Sequence, residues 1–152
     1  MMEFLSSETR KDLFRELIQH MEKAEDRASF IDILKENIEL TGLDRLPVIE
    51  GAFDQGELVG FHILMRKMPL SEDPGYSPWL GLFYIFEKYR GRKYSPLLIQ
   101  RACDLAQEMG YSDIYLSSIL IQYYEKYGFE EIGLAIDRAG FPVKLYRRKL
   151  RD

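Results

Sequence analysis

Leu80-Gly81-Leu82-Phe83-Tyr84-Ile85-Phe86, closely followed by Tyr89-Arg90-Gly91-Arg92-Lys93-Tyr94-Ser95-Pro96, is the stretch on which the fold of this chain turns. The first run is continuously apolar, the pattern of a buried central strand. Pro96 then suits the first turn of a helix, where its missing N–H costs nothing. Leu98, Ala102, Leu105 and Met109 give that helix a buried stripe, and Gly110 ends it. The turn between strand and helix carries Arg90, Arg92 and Lys93. A helix start presents unpaired N–H groups and a partial positive charge, so this turn is a natural anion site. Gly91 permits close backbone approach, and three cations suit a diphosphate better than a carboxylate. A solvated basic turn accounts for the same residues.

Outward from this unit, Ile114-Tyr115-Leu116-Ser117-Ser118 predicts another strand, followed by a short helix through Tyr127 that Gly128 stops. Two last strands are expected over 131–138 and 143–149, joined through Gly140. The basic residues Lys144, Arg147, Arg148, Lys149 and Arg151 read as the outer face of the final strand. On the N-terminal side, Val48–Phe53 and Leu58–Met65 flank Asp54-Gln55-Gly56-Glu57, a hairpin turn composition. Residues 69–78, with Pro69, Pro74, Gly75 and Pro78, predict a loop.

Further back, residues 2–5 suit a short strand. Ser6 and Ser7 offer N-caps for a helix to about Ala24, built on Leu13, Phe14, Leu17, Ile18 and Met21. Phe30, Ile31, Leu34 and Ile38 mark a second helix from about Arg27 to Leu40, which Gly42 ends. The order β-αα-ββ-β-α-β-α-ββ makes residues 1–152 a single α/β (α+β) domain.

Composition removes several function classes. With 46% apolar and 30% charged residues the chain has the make-up of an ordinary globular domain. No run approaches the roughly 20 apolar residues of a membrane span, and no export signal is seen, so residence in the cytoplasm is expected by default. A net charge of −4 argues against a nucleic-acid binder. One cysteine, Cys103, excludes an internal disulfide and a thiolate metal site, and with only His20 and His62 no metal is expected.

Tyr124-Glu125-Lys126-Tyr127-Gly128-Phe129 is the second decisive segment. It is similar to the Tyr-x-x-x-Gly-Phe signature of the GNAT superfamily of acyl-CoA N-acyltransferases, and residues 80–129 resemble the core of that family. Its Arg/Gln-x-x-Gly-x-Gly/Ala turn, which cradles the coenzyme A pyrophosphate, aligns with Arg90, Lys93 and Ser95, so the arginine is kept and both glycines are replaced. Lys93 then stands where the family leaves room for phosphate, or supplies an ammonium to it. Leu46-Pro47, Val59-Gly60-Phe61 and Pro78-Trp79-Leu80 extend the likeness over residues 44–150.

The resemblance implies a GNAT fold, with a mixed, mostly antiparallel central sheet flanked by helices and two central strands that splay. It implies acetyl transfer from acetyl-CoA to an amine of a small molecule or peptide, by direct attack and with no covalent enzyme intermediate. A homodimer is compatible with it. Tyr124 becomes the general acid for the departing thiolate; Tyr123 is its neighbour and competitor, and gap-filling is the structural alternative. Phe83, Tyr84 and Ile85 would meet the pantetheine arm through their backbone. Arg90, Gly91, Arg92, Lys93, Tyr94, Ser95 and Pro96 would hold the pyrophosphate, and Ser117 replaces a frequent cofactor-contacting asparagine.

No base is evident. Glu50 and His62 lie on hairpin strands that could face the cleft, and Glu87 is expected to point to solvent. The Asp-His pair of close relatives is Ile119-Leu120 here. Glu22, Glu25, Asp26, Glu36, Glu39, Glu72 and Asp73 would suit a cationic acceptor, but solvated helix faces are the simpler account of them. Tyr76 and Trp79 either line the acceptor pocket or cap the core. Two other readings stay open: an acyl-CoA-binding or regulatory module without turnover, and a domain whose cleft takes a peptide strand.

Overall fold

The computed structural model describes residues 2–6, 12, 46–119 and 123–150. Seven strands form one sheet in the order β1-β2-β3-β4-β5-β7-β6: β1 Met2–Ser6, β2 Val48–Asp54, β3 Glu57–Met65, β4 Trp79–Ile85, β5 Asp113–Ser118, β6 Glu130–Ile136 and β7 Pro142–Lys149. All neighbours are antiparallel except β4 and β5. The mixed, mostly antiparallel sheet is therefore the expected one. The two helices expected between β1 and β2, with their acidic residues and Gly42, lie outside the described residues, as do His20 and Arg151.

Strand alternation sorts the core onto two faces. The described helix α1, Ser95–Glu108, covers one of them, with Ile99, Ala102, Cys103 and Ala106 packed on Val48, Leu64, Leu80, Ile114 and Leu116. The other face gathers Ile49, Phe61, Ile63, Met65, Trp79 and Leu145. Pro96 stands in the first turn of α1, and Gly110 follows its end at φ +97. The β2–β3 hairpin turns at Gln55-Gly56, as the sequence indicated.

Three expectations need correction. The middle of β4 is not buried on both sides: Leu82, Phe83 and Tyr84 are half-buried. The segment after β5 is, in its described part, one 3-10 turn over Glu125–Tyr127. Tyr123, Tyr124 and Tyr127 are weak helix formers, and Gly128 at φ +88 redirects the chain at once. The basic residues of β7 are also not all on an outer face. Lys144 and Arg147 pair with Glu131 and Glu130 at 3.0 and 2.8 Å. Arg148 instead reaches the Tyr127 carbonyl at 3.1 Å and Cys103 Sγ at 3.5 Å, on the α1 side. Consecutive strand residues point to opposite faces, so Arg147 and Arg148 cannot share one.

Candidate active site

The gap that makes the site lies between β4 and β5. They are paired only at Trp79 and Tyr115, where the Tyr115 N–H also donates to the Pro78 carbonyl at 3.0 Å. Beyond that point the strands diverge, and the β4 edge facing β5 has no strand partner among the described residues. A cavity of about 180 Å³ opens there, lined by residues 80–83 of β4, Leu116 and Ser117 of β5, and Tyr124. Main-chain N–H and C=O groups left without a ladder are strong hydrogen-bonding sites for a ligand.

Tyr124 is 8% exposed. Its ring meets Phe83 edge-on at 6.3 Å and packs against Phe129 and Tyr146 at 6.1 and 5.8 Å. Burial, reinforced by Tyr123, raises its pKa to about 12, against a hydrogen bond with Ser118 that lowers it. The phenol is thus fully protonated at neutral pH. Tyr123 does not line this cavity; it lines the next one.

That second cavity, about 320 Å³, lies where β4 ends and α1 begins. Arg90, Gly91, Lys93, Tyr94, Ser95 and Pro96 form one wall, and Ile85 is at its base. Tyr123, Lys126 and Tyr127 complete it from the 3-10 segment. Of the residues expected to hold anionic phosphate, Arg92 alone is turned away, lining a smaller recess at the hairpin tip. Arg90 is partly committed: its Nε donates to the Ile85 carbonyl at 2.9 Å, and its guanidinium stacks on Tyr84 at 5.1 Å.

Lys93 keeps the backbone that a glycine would adopt, with φ +61 beside Gly91 at φ +85. An L residue pays roughly 1–2 kcal/mol for the left-handed region, so the turn geometry has survived loss of the glycine and carries an ammonium as well. No side chain caps the α1 N-terminus, which leaves its N–H groups free for an anion. Lys126 is a cation the sequence reading missed. Its Nζ lies 4.5 and 5.4 Å from the Tyr123 and Tyr127 ring centres, on the far wall from Lys93. Its place two residues after Tyr124 was the available signal.

The model of the acetyltransferase (GNAT) family matches residues 7–129. The chain belongs to the GNAT acetyltransferase family. Its activity class is acetyl-CoA-dependent N-acetyl transfer. No curated protein matches the sequence. Among solved structures, a chimera of the Vibrio cholerae spermidine N-acetyltransferase is 20% identical, with 98% of this chain and 95% of that one covered and a TM-score of 0.69. An acyl-CoA N-acyltransferase from Pseudomonas aeruginosa is 21% identical, covering 97% and 99%, with a TM-score of 0.65. A GNAT acetyltransferase from Elizabethkingia anophelis, solved with acetyl-CoA bound, is 11% identical over 78% and 82%, with a TM-score of 0.60. At these identities the likeness is one of fold.

Within the GNAT frame, Glu50 and His62 line neither of the two cavities. Both are buried on the α1 side, where Glu50 Oε1 meets His62 Nε2 at 2.7 Å and Arg101 donates twice to the carboxylate at 2.9 Å. Burial opposes the Glu50 charge, but the His62 and Arg101 hydrogen bonds outweigh it and hold the pKa below the ordinary value. Alternation sorts strand residues between two faces without naming the one that α1 covers. Glu87 is exposed, as expected.

Tyr76 and Trp79 act as core caps: Tyr76 stacks on Tyr115 at 4.6 Å, and Trp79 Nε1 donates to the Tyr76 carbonyl at 2.7 Å. Asp73 accepts from the Gly75 N–H, a local turn bond. Ile119 is 74% exposed, and Leu120 is outside the described residues. Among the described residues no helix is long and apolar enough to cross a membrane, and no cluster of three metal-ligating side chains occurs.

Proposed function

We propose that acetyl-CoA lies along the open edge of β4 and that Tyr124 protonates its departing thiolate. The observation that carries this is the placement of a buried phenol, with Ser117, across one cavity from residues 80–83. Backbone groups of Phe83, Tyr84 and Ile85 then receive the pantetheine arm as a strand receives a peptide, and a β4 N–H polarises the thioester carbonyl. Gly91, Lys93, Tyr94, Ser95 and Pro96 hold the pyrophosphate at the start of α1, with Arg90 steadying the turn through Ile85 and Tyr84. Lys126 adds charge from the opposite wall. Arg92 contributes long-range attraction. The structure solved with acetyl-CoA in another family member supports the choice of ligand.

A phenol shifted to about 12 would be a weak donor to a thiolate in water. The thiolate it faces is desolvated too, and burial raises thiols in this protein as well: Cys103 is pushed to about 11. Donor and acceptor therefore rise together. The acceptor amine attacks the thioester directly after losing its proton to water. Glu50 and His62, which line neither cavity, are not assigned as its base. That missing base favours one second reading, an acyl-CoA-binding module without turnover. A supply of acetyl-CoA implies a cytoplasmic setting.

The test is thermal unfolding with and without acetyl-CoA, followed by an amine screen. At about 100 times its dissociation constant a ligand stabilises by roughly 2.7 kcal/mol, a rise of several degrees for a domain of this size. No rise at millimolar acetyl-CoA would remove the cofactor assignment. A rise with no amine turned over would favour the binding module.

A further inference from the structure

We propose that Asp54 and Glu57, at the tip of the β2–β3 hairpin, are positioning residues for the turn between β4 and α1, gripping it at both ends through Tyr94 and Tyr89. The inference rests on the reading of that turn as the pyrophosphate clamp. Neither carboxylate lines the anion cavity, and both belong to a strand pair remote in sequence.

The grip is visible in two hydrogen bonds. The Tyr94 hydroxyl donates to Asp54 Oδ2 at 2.5 Å, across 40 residues of chain. The Tyr89 hydroxyl donates to Glu57 Oε2 at 2.6 Å, across 32 residues. Tyr89 closes the short 3-10 helix that enters the turn, and Tyr94 is the N-cap residue of α1, where the turn leaves. Arg90, Gly91, Arg92 and Lys93 are the whole of what lies between. The hairpin supplies a firm anchor because its turn is tight, with Gln55 and Gly56 both left-handed. It also runs directly alongside: the Phe86 N–H donates to the Val59 carbonyl at 3.0 Å, prolonging the β3–β4 pairing to the edge of the turn.

The turn needs outside support for three reasons. Its cations repel one another, Lys93 holds a left-handed backbone without being a glycine, and no side chain caps α1. An N-cap side chain would steady the helix start but would also consume the N–H groups that an anion requires. Fastening Tyr94 by its phenol steadies the helix start and leaves those donors free. The carboxylates also lie beside Arg92, which stacks on Tyr89 at 5.5 Å and lines the same recess as Asp54 and Glu57.

The experiment measures acetyl-CoA affinity by calorimetry and amide hydrogen exchange of residues 90–95, on the full chain. The variants are Asp54→Ala, Tyr94→Phe, their double, Asp54→Asn, and Glu57→Ala. Loss of one such hydrogen bond should weaken binding by roughly five- to tenfold and speed exchange in the turn while the interior of α1 stays protected. The losses in the Asp54→Ala/Tyr94→Phe double should be less than additive, because both singles already lose the Tyr94–Asp54 bond. Asp54→Asn, which keeps an acceptor oxygen, should restore affinity to within about twofold. Unchanged exchange in the turn would overturn the proposal. So would additive losses in the double, or failure of Asp54→Asn to rescue. If the unaltered protein does not bind acetyl-CoA, the clamp reading falls, and turn exchange in the variants still decides whether the hairpin holds the turn.

Discussion

Tyr124 and Lys93 stand at two ends of one cleft and are held there by different forces. Tyr124 is wedged among Phe83, Phe129 and Tyr146, where burial shifts its acidity. Lys93 is exposed, in an unfavourable backbone conformation, on a turn tethered by polar contacts. Packing is short-ranged and indifferent to salt, whereas the attraction between exposed cations and an anion is screened within about 10 Å at ordinary ionic strength. On the proposed reading one end serves chemistry and the other capture, and they should fail separately.

The largest separation is expected from Tyr124→Phe. Phenylalanine preserves the ring packing and removes the proton, so turnover should fall by roughly 10²–10⁴-fold, with acetyl-CoA affinity and melting temperature nearly unchanged. Steady-state kinetics beside calorimetry checks this; a parallel loss of affinity would merge the two ends. Next in size, Lys93→Ala combined with Lys126→Ala should weaken acetyl-CoA binding by about tenfold or more at low salt. The difference from the unaltered protein should shrink as salt is added. A deficit that ignores salt would mean neither lysine meets phosphate.

Lys93→Gly isolates the backbone contribution. It should stabilise the free protein by about 1 kcal/mol in urea unfolding, while still losing affinity. The last expectation is one of pH. Because the folded-state pKa of Tyr124 is raised, the unfolded chain ionises first, and stability should decline as pH climbs from about 10 toward 12. That decline should be shallower in Tyr124→Phe.

Much of this was legible in the sequence because it is local. Gln55-Gly56, Pro96 and Gly128 each mark a turn or terminus through their own backbone preferences, and the structure places elements where those residues demand. The apolar run of β4 was misread as buried on both sides because periodicity reports a strand's composition, not whether a neighbour departs from its edge. The sequence likewise left the facing of Glu50 and His62 open, because the side that a helix covers is a tertiary fact. Asp54 and Glu57 escaped notice because their contacts join distant segments, and nothing in a residue's own neighbourhood encodes those.

Arg148 and Tyr146 tie the last strand to the segment that carries Tyr124. Arg148 comes late in β7, yet it fastens the carbonyl of Tyr127, in the turn that follows Tyr124, while its strand neighbour Tyr146 packs on the Tyr124 ring. The seat of Tyr124 is thus built partly from β7, although no β7 residue lines either cavity, so damage to that strand reaches this tyrosine from outside the site.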